Sequence, residues 1–117
     1  MTRSVAWKAF ERRVAKQLGG RRRGPDFRGQ EGGKTDVIVE GLAVECKLLS
    51  RTSWCDFLGA VEQAERASAP WELPLAVVKK KRALDKDALV VMRLSTLVKG
   101  VEDQEVEDEQ RTGNKGS

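Results

Sequence analysis

The stretch from Thr35 to Lys47 (TDVIVEGLAVECK) constrains the fold of this chain more than any other. Two β-branched, apolar runs flank Glu40-Gly41, which is the pattern of a hairpin. A two-residue turn there sets Val39 opposite Leu42, Ile38 opposite Ala43, Val37 opposite Val44 and Asp36 opposite Glu45. Directly opposed side chains share a face, with Cβ atoms about 5 Å apart. The two-residue repeat adds Lys47 to the face of Glu45. The other face carries Val37, Val39, Leu42, Val44, Cys46 and Leu48, enough to bury.

Opposed carboxylates repel and destabilise a sheet unless something compensates them. Mg²⁺ would do so, since it takes oxygen ligands from one or two carboxylates and completes its shell with water and substrate phosphate. A neighbouring lysine can hold a water or offset charge building on a phosphate. One reading of Asp36, Glu45 and Lys47 is therefore a site for phosphodiester hydrolysis. The other is a solvent-facing hairpin with incidental charges. A bulge at Gly41 would shift the register and weaken the first reading. The hairpin alone leaves both open.

Composition narrows the chemistry. The chain has 117 residues, the size of one domain. It has no histidine, which removes Ser-His catalysis and histidine-ligated metals and leaves carboxylate and lysine chemistry. Cys46 and Cys55 are the only cysteines, without zinc spacing, and Cys46 reads as a small core residue. Arg3, Lys8, Glu11, Arg12 and Arg13 interrupt any leader-like apolar segment, and no run is long enough to span a membrane. The expected location is the cytoplasm, of a cell or of an infected host. The net charge of +4 conceals an asymmetry: residues 1–34 hold ten basic and three acidic residues, and residues 102–117 hold two basic and six acidic. A basic body points to a polyanion, most simply nucleic acid.

Taken in order, Ser4 is a candidate N-cap for a helix over about Val5 to Leu18, with Ala6, Phe10, Val14 and Leu18 as its buried stripe and Gly19-Gly20 as its stop. Glu11 borders that stripe. The Gly- and Arg-rich segment Arg21 to Gly33 reads as a phosphate-binding loop or as a connector whose charges aid solubility. Ser53 caps a second helix, about Trp54 to Ser68, with Trp54, Phe57, Leu58 and Val61 on its apolar side. Leu73 to Val78 suits a central strand. The basic run Lys79 to Arg82 is a solvated edge or a grip on phosphates. Ala88 to Leu94 is a further strand, and Ser95 caps a short helix. The expected division is a folded body over 1–101 and a disordered acidic tail over 102–117. The fold class is α/β, a small mixed sheet flanked by helices.

Asp36 followed by Glu45-Cys46-Lys47 resembles the PD-(D/E)xK nuclease superfamily, whose signature is an acid on one strand and (D/E)-x-K on the next. With Glu11-Arg12 on the first helix, the basic loop Arg21 to Lys34 and the strand Pro74 to Lys79, the chain is most similar to archaeal-type Holliday junction resolvases, a phage-borne member being one option. It departs from their pattern at Lys34-Thr35, where a proline is usual, and at Gly32-Gly33, where serine is frequent.

The resemblance implies a restriction-endonuclease-like fold and a Mg²⁺- or Mn²⁺-dependent endonuclease. Such an enzyme nicks a four-way DNA junction symmetrically as a homodimer. It implies metal binding by Asp36, Glu45 and the Cys46 backbone carbonyl, with Glu11 completing the site through water or a second metal. Lys47 would position the attacking water or stabilise the transition state. Arg12, Arg21, Arg22, Arg23, Arg28, Lys34, Lys79 and Lys80 would contact DNA. The alternatives are another nuclease of the superfamily, in repair or restriction, and a basic DNA-binding module without chemistry.

Overall fold

The computed structural model describes residues 2–22 and 37–116, with side chains over 5–21 and 37–105. The expectations placed on Arg23, Arg28, Lys34 and Asp36 lie outside these residues. In chain order the elements are α1 (Thr2–Gln17), β1 (Arg21–Arg22), β2 (Val37–Val39), β3 (Leu42–Leu49), α2 (Trp54–Ala67), β4 (Leu73–Lys80), β5 (Leu89–Val91) and α3 (Leu94–Gly116). The strands form one mixed sheet in the order β1-β2-β3-β4-β5. Only the β3–β4 pair is parallel. Its crossover is α2, as a parallel neighbour requires.

The hairpin has the expected register: Val37 pairs with Val44, Ile38 with Ala43 and Val39 with Leu42. Gly41 takes φ +82°, the left-handed conformation that glycine adopts without a Cβ penalty. No bulge intervenes. The apolar face of the hairpin, with Leu75 and Val77 of β4, packs on Phe10, Val14 and Ala15 of α1. The opposite face of β4, Ala76 and Val78, packs on Ala60 and Val61 of α2. β4 is thus covered on both sides, which accounts for its unbroken apolar run. Each large side chain buried this way contributes roughly 1.5–3 kcal/mol.

α1 ends in a paired glycine lock. The Gly19 N–H donates to the Lys16 carbonyl and the Gly20 N–H to the Ala15 carbonyl, at 3.2 and 2.8 Å, a Schellman pattern with Gly19 at φ +75°. Gly20 is needed for a second reason: a Cβ there would lie 2.2 Å from the Ile38 carbonyl oxygen. The chain leaves α1 directly against β2.

Several expectations are corrected. Helix α1 starts at Thr2, so Ser4 lies within it and is not its cap. Its buried residues are Phe10, Glu11, Val14 and Ala15; Ala6 and Leu18 are exposed. The reason is that only the second half of α1 meets the sheet, and Leu18 already belongs to the terminating turn. Ser53 does cap α2, accepting from the Asp56 N–H at 3.3 Å. Trp54, however, is 77% exposed at the helix start, while Phe57 packs on the sheet. β5 is shorter than expected. Ser95 lies inside α3, which starts at Leu94 and runs to Gly116, so the backbone of 102–116 is helical. Charged residues four apart, such as Glu105 and Glu109, do not prevent a helix once three turns precede them. Among the described residues no helix is long and apolar enough to cross a membrane.

Candidate functional site

Glu45 sits in the middle of β3, opposite Ala76 of β4, and is only 2% exposed. Lys47 follows on the same face, opposite Val78. Burying a carboxylate costs several kcal/mol unless charge or hydrogen bonds compensate it. A sheet-centre position that alternation would otherwise fill with an apolar residue is therefore given to an acid. Glu11 is the second buried acid, 7% exposed on α1 beside Phe10. Both glutamates have interaction partners. Asp36 directly precedes Val37 and so falls just outside the described residues. Among the described residues no three acidic or cysteine side chains are grouped to hold a metal ion. Cys46 is fully buried on the α1 side, the small core residue expected.

The Lys47 ammonium lies 5.7 Å from the centre of the Trp7 ring. That is within cation–π range. Trp7 is 39% exposed, so its ring forms part of the surface next to Lys47.

Of the cations expected to meet DNA, Arg12, Arg21 and Lys80 are exposed. Arg22 lies in β1 opposite Val37. Lys79 is a correction. It is 8% exposed, with its ammonium 2.6 Å from Asp85 Oδ1 and 4.8 Å from the Phe10 ring centre. Arg13 donates to the same carboxylate through Nε and, at 3.3 Å, through Nη2. The Arg13 guanidinium, and after it the Lys79 ammonium, hold the Asp85 carboxyl below its ordinary value. Lys79 is thus an internal tie between β4 and the turn at Asp85–Asp87. Strand parity explains it: β4 continues through Lys80, so Lys79 shares the inward face of Leu75 and Val77.

Between α1 and the ends of β3 and β4 lies a cleft of about 550 Å³, lined by Trp7, Arg13, Lys47, Lys79, Lys81 and Arg82 among others. No acid lines it. The sequence singled out Lys81 and Arg82 only as part of a charge run, and gave Trp7 and Arg13 no site role. Their convergence depends on α1 lying across the strand ends, which no local pattern encodes.

No protein-family model, curated protein or solved structure matches the chain.

Proposed function

We propose that the chain is a metal-dependent endonuclease of the PD-(D/E)xK type that nicks branched, four-way DNA as a homodimer. The observation that carries the reading is the hairpin register. Val37 faces Val44. In the sequence Asp36 immediately precedes Val37 and the buried Glu45 immediately follows Val44, with Lys47 on the Glu45 face. The α1–hairpin–α2–β4 order and the mixed sheet agree with this fold.

The donor set is all oxygen, which suits Mg²⁺ or Mn²⁺. Asp36, Glu45 and the Cys46 carbonyl would hold the ion, with Glu11 joining through water. The ion, when bound, supplies Lewis-acid polarisation of the phosphate and a more acidic water. Lys47 would orient the water and offset negative charge on the phosphate oxygens. The exposed cations Arg12, Arg21 and Lys80, with Arg22, Arg23, Arg28 and Lys34, would contact backbone phosphates, which reads shape and not sequence. A two-fold substrate calls for a two-fold dimer.

The test is cleavage of a synthetic four-way junction with Mg²⁺, beside linear duplex of the same sequence. Junction-selective cutting that is lost in Glu45→Gln and Asp36→Asn supports the reading. Equal cutting by wild type and both variants removes it, and salt-sensitive binding without cutting favours a binding module.

A further inference from the structure

The cleft beside Lys47 has a chemistry that the hydrolytic site does not use. Arg13 and Lys79 are tied to Asp85. Lys81 and Arg82 have no carboxylate partner among the described residues. Both lie in the turn after β4, closed by the Ala83 N–H donating to the Lys80 carbonyl at 3.1 Å. Arg82 holds φ +72° in that turn, a conformation ordinarily left to glycine or asparagine. A strained backbone position beside a functional surface is a recurrent feature of binding sites. Trp7, which lines the same cleft, is a partly exposed aromatic side chain. The volume falls in the roughly 300–1,000 Å³ range of sites that take a single small ligand group. Cations and an aromatic ring lining one cleft are the two components that hold unpaired nucleotides: phosphates bind the first and bases stack on the second.

We propose that this cleft holds an unpaired nucleotide of a DNA strand, with its base against Trp7 and its phosphates against Lys81 and Arg82. The identification of the strand as DNA rests on the nuclease reading, with which the cleft shares Lys47. Bases are stacked and inaccessible in a continuous duplex, whereas they unpair readily where strands exchange. The cleft therefore favours branched or frayed substrates over linear duplex.

The experiment uses the full chain with Trp54 and Trp71, both exposed, replaced by Phe, so that Trp7 is the sole tryptophan. Labelled oligothymidylate is titrated in EDTA, so binding is read without cleavage. The expected result is quenching of Trp7 emission and binding weakened about tenfold by Trp7→Ala, on the scale of one lost base stack. Arg82→Gly keeps the backbone turn and is expected to weaken binding several-fold with a shallower salt dependence. Unchanged affinity in both variants overturns the proposal. So does equal quenching by blunt duplex, or displacement by inorganic phosphate or thymidine monophosphate at the concentration of the oligonucleotide. Cleavage assays on the same preparations separate the two readings. Quenching by a chain that cuts no junction supports the cleft and removes the nuclease. Normal cutting without quenching does the reverse.

Discussion

Lys79 and Asp85 form a part-buried ion pair, 2.6 Å from nitrogen to oxygen, that pins the turn after β4 to the strand itself. Arg13 of α1 grips the same carboxylate, so one acid joins three segments. The pair also explains why a lysine is accepted against the Phe10 ring.

Asp85 makes stability depend on acid. Its carboxyl is held below the ordinary value of 3.8, first by Arg13 and then by Lys79. A lowered folded-state value means the contribution is fully present above the unfolded value and is lost as pH falls through the folded one. Asp85→Asn is therefore expected to cost roughly 1.5–3 kcal/mol near pH 7, the range for hydrogen bonds to charged groups. The difference from wild type should shrink below about pH 4. Urea denaturation at pH 7 and pH 3 measures both.

The two glycines after α1 should respond differently. Gly19→Ala meets no atom within 4 Å but must hold φ +75°, which costs about 1 kcal/mol. Gly20→Ala drives a methyl into the Ile38 carbonyl and the Val39 side chain, so at least about 2 kcal/mol is expected. Thermal unfolding of the two variants, with Gly20→Ala the less stable, checks the order.

Arg82→Gly should raise the melting temperature. Relief of the left-handed arginine is worth roughly 1–2 kcal/mol, partly offset by the greater freedom of glycine in the unfolded chain. The expected net gain is up to about 1 kcal/mol by calorimetry. Together with weaker oligonucleotide binding, this would be stability exchanged for function at one residue.

Within the proposed site, Lys47→Ala and Glu45→Gln should lower junction cleavage by about 10²–10³ or more in Mg²⁺, the scale of removing a charge-stabilising group. Oligonucleotide binding in EDTA should persist in Glu45→Gln. Rates under single turnover, beside anisotropy in EDTA, separate the effects. Cleavage retained in both variants would move the chemistry elsewhere.

What the sequence made legible was local. The Glu40-Gly41 turn, the strand register, the Ser53 cap and the two-sided burial of Leu73 to Val78 follow from neighbour spacing and turn chemistry. The errors arose where tertiary placement overrode a local signal. Trp54 shares an apolar stripe with Phe57, which left packing on the sheet and an exposed dimer patch both open, and it is 77% exposed. Lys79 looked like surface because it opens a basic run, but strand parity carries it inward to an acid six residues on. For Glu45, spacing indicated its neighbours on the strand, and the structure added how deeply it is buried. The convergence of Trp7, Lys47 and Arg82 brings together residues up to 75 positions apart in the chain and had no sequence signature.

The eight consecutive parallel pairs that join β3 to β4 place Glu45 and Lys47 on the innermost rung of the sheet. Amide hydrogens there should exchange with solvent only through global opening, while those of β5 and the far end of α3 exchange by fraying. Mild denaturant would then leave any chemistry at Glu45 intact until the whole molecule melts. Loss of activity and loss of fold should coincide in a single transition.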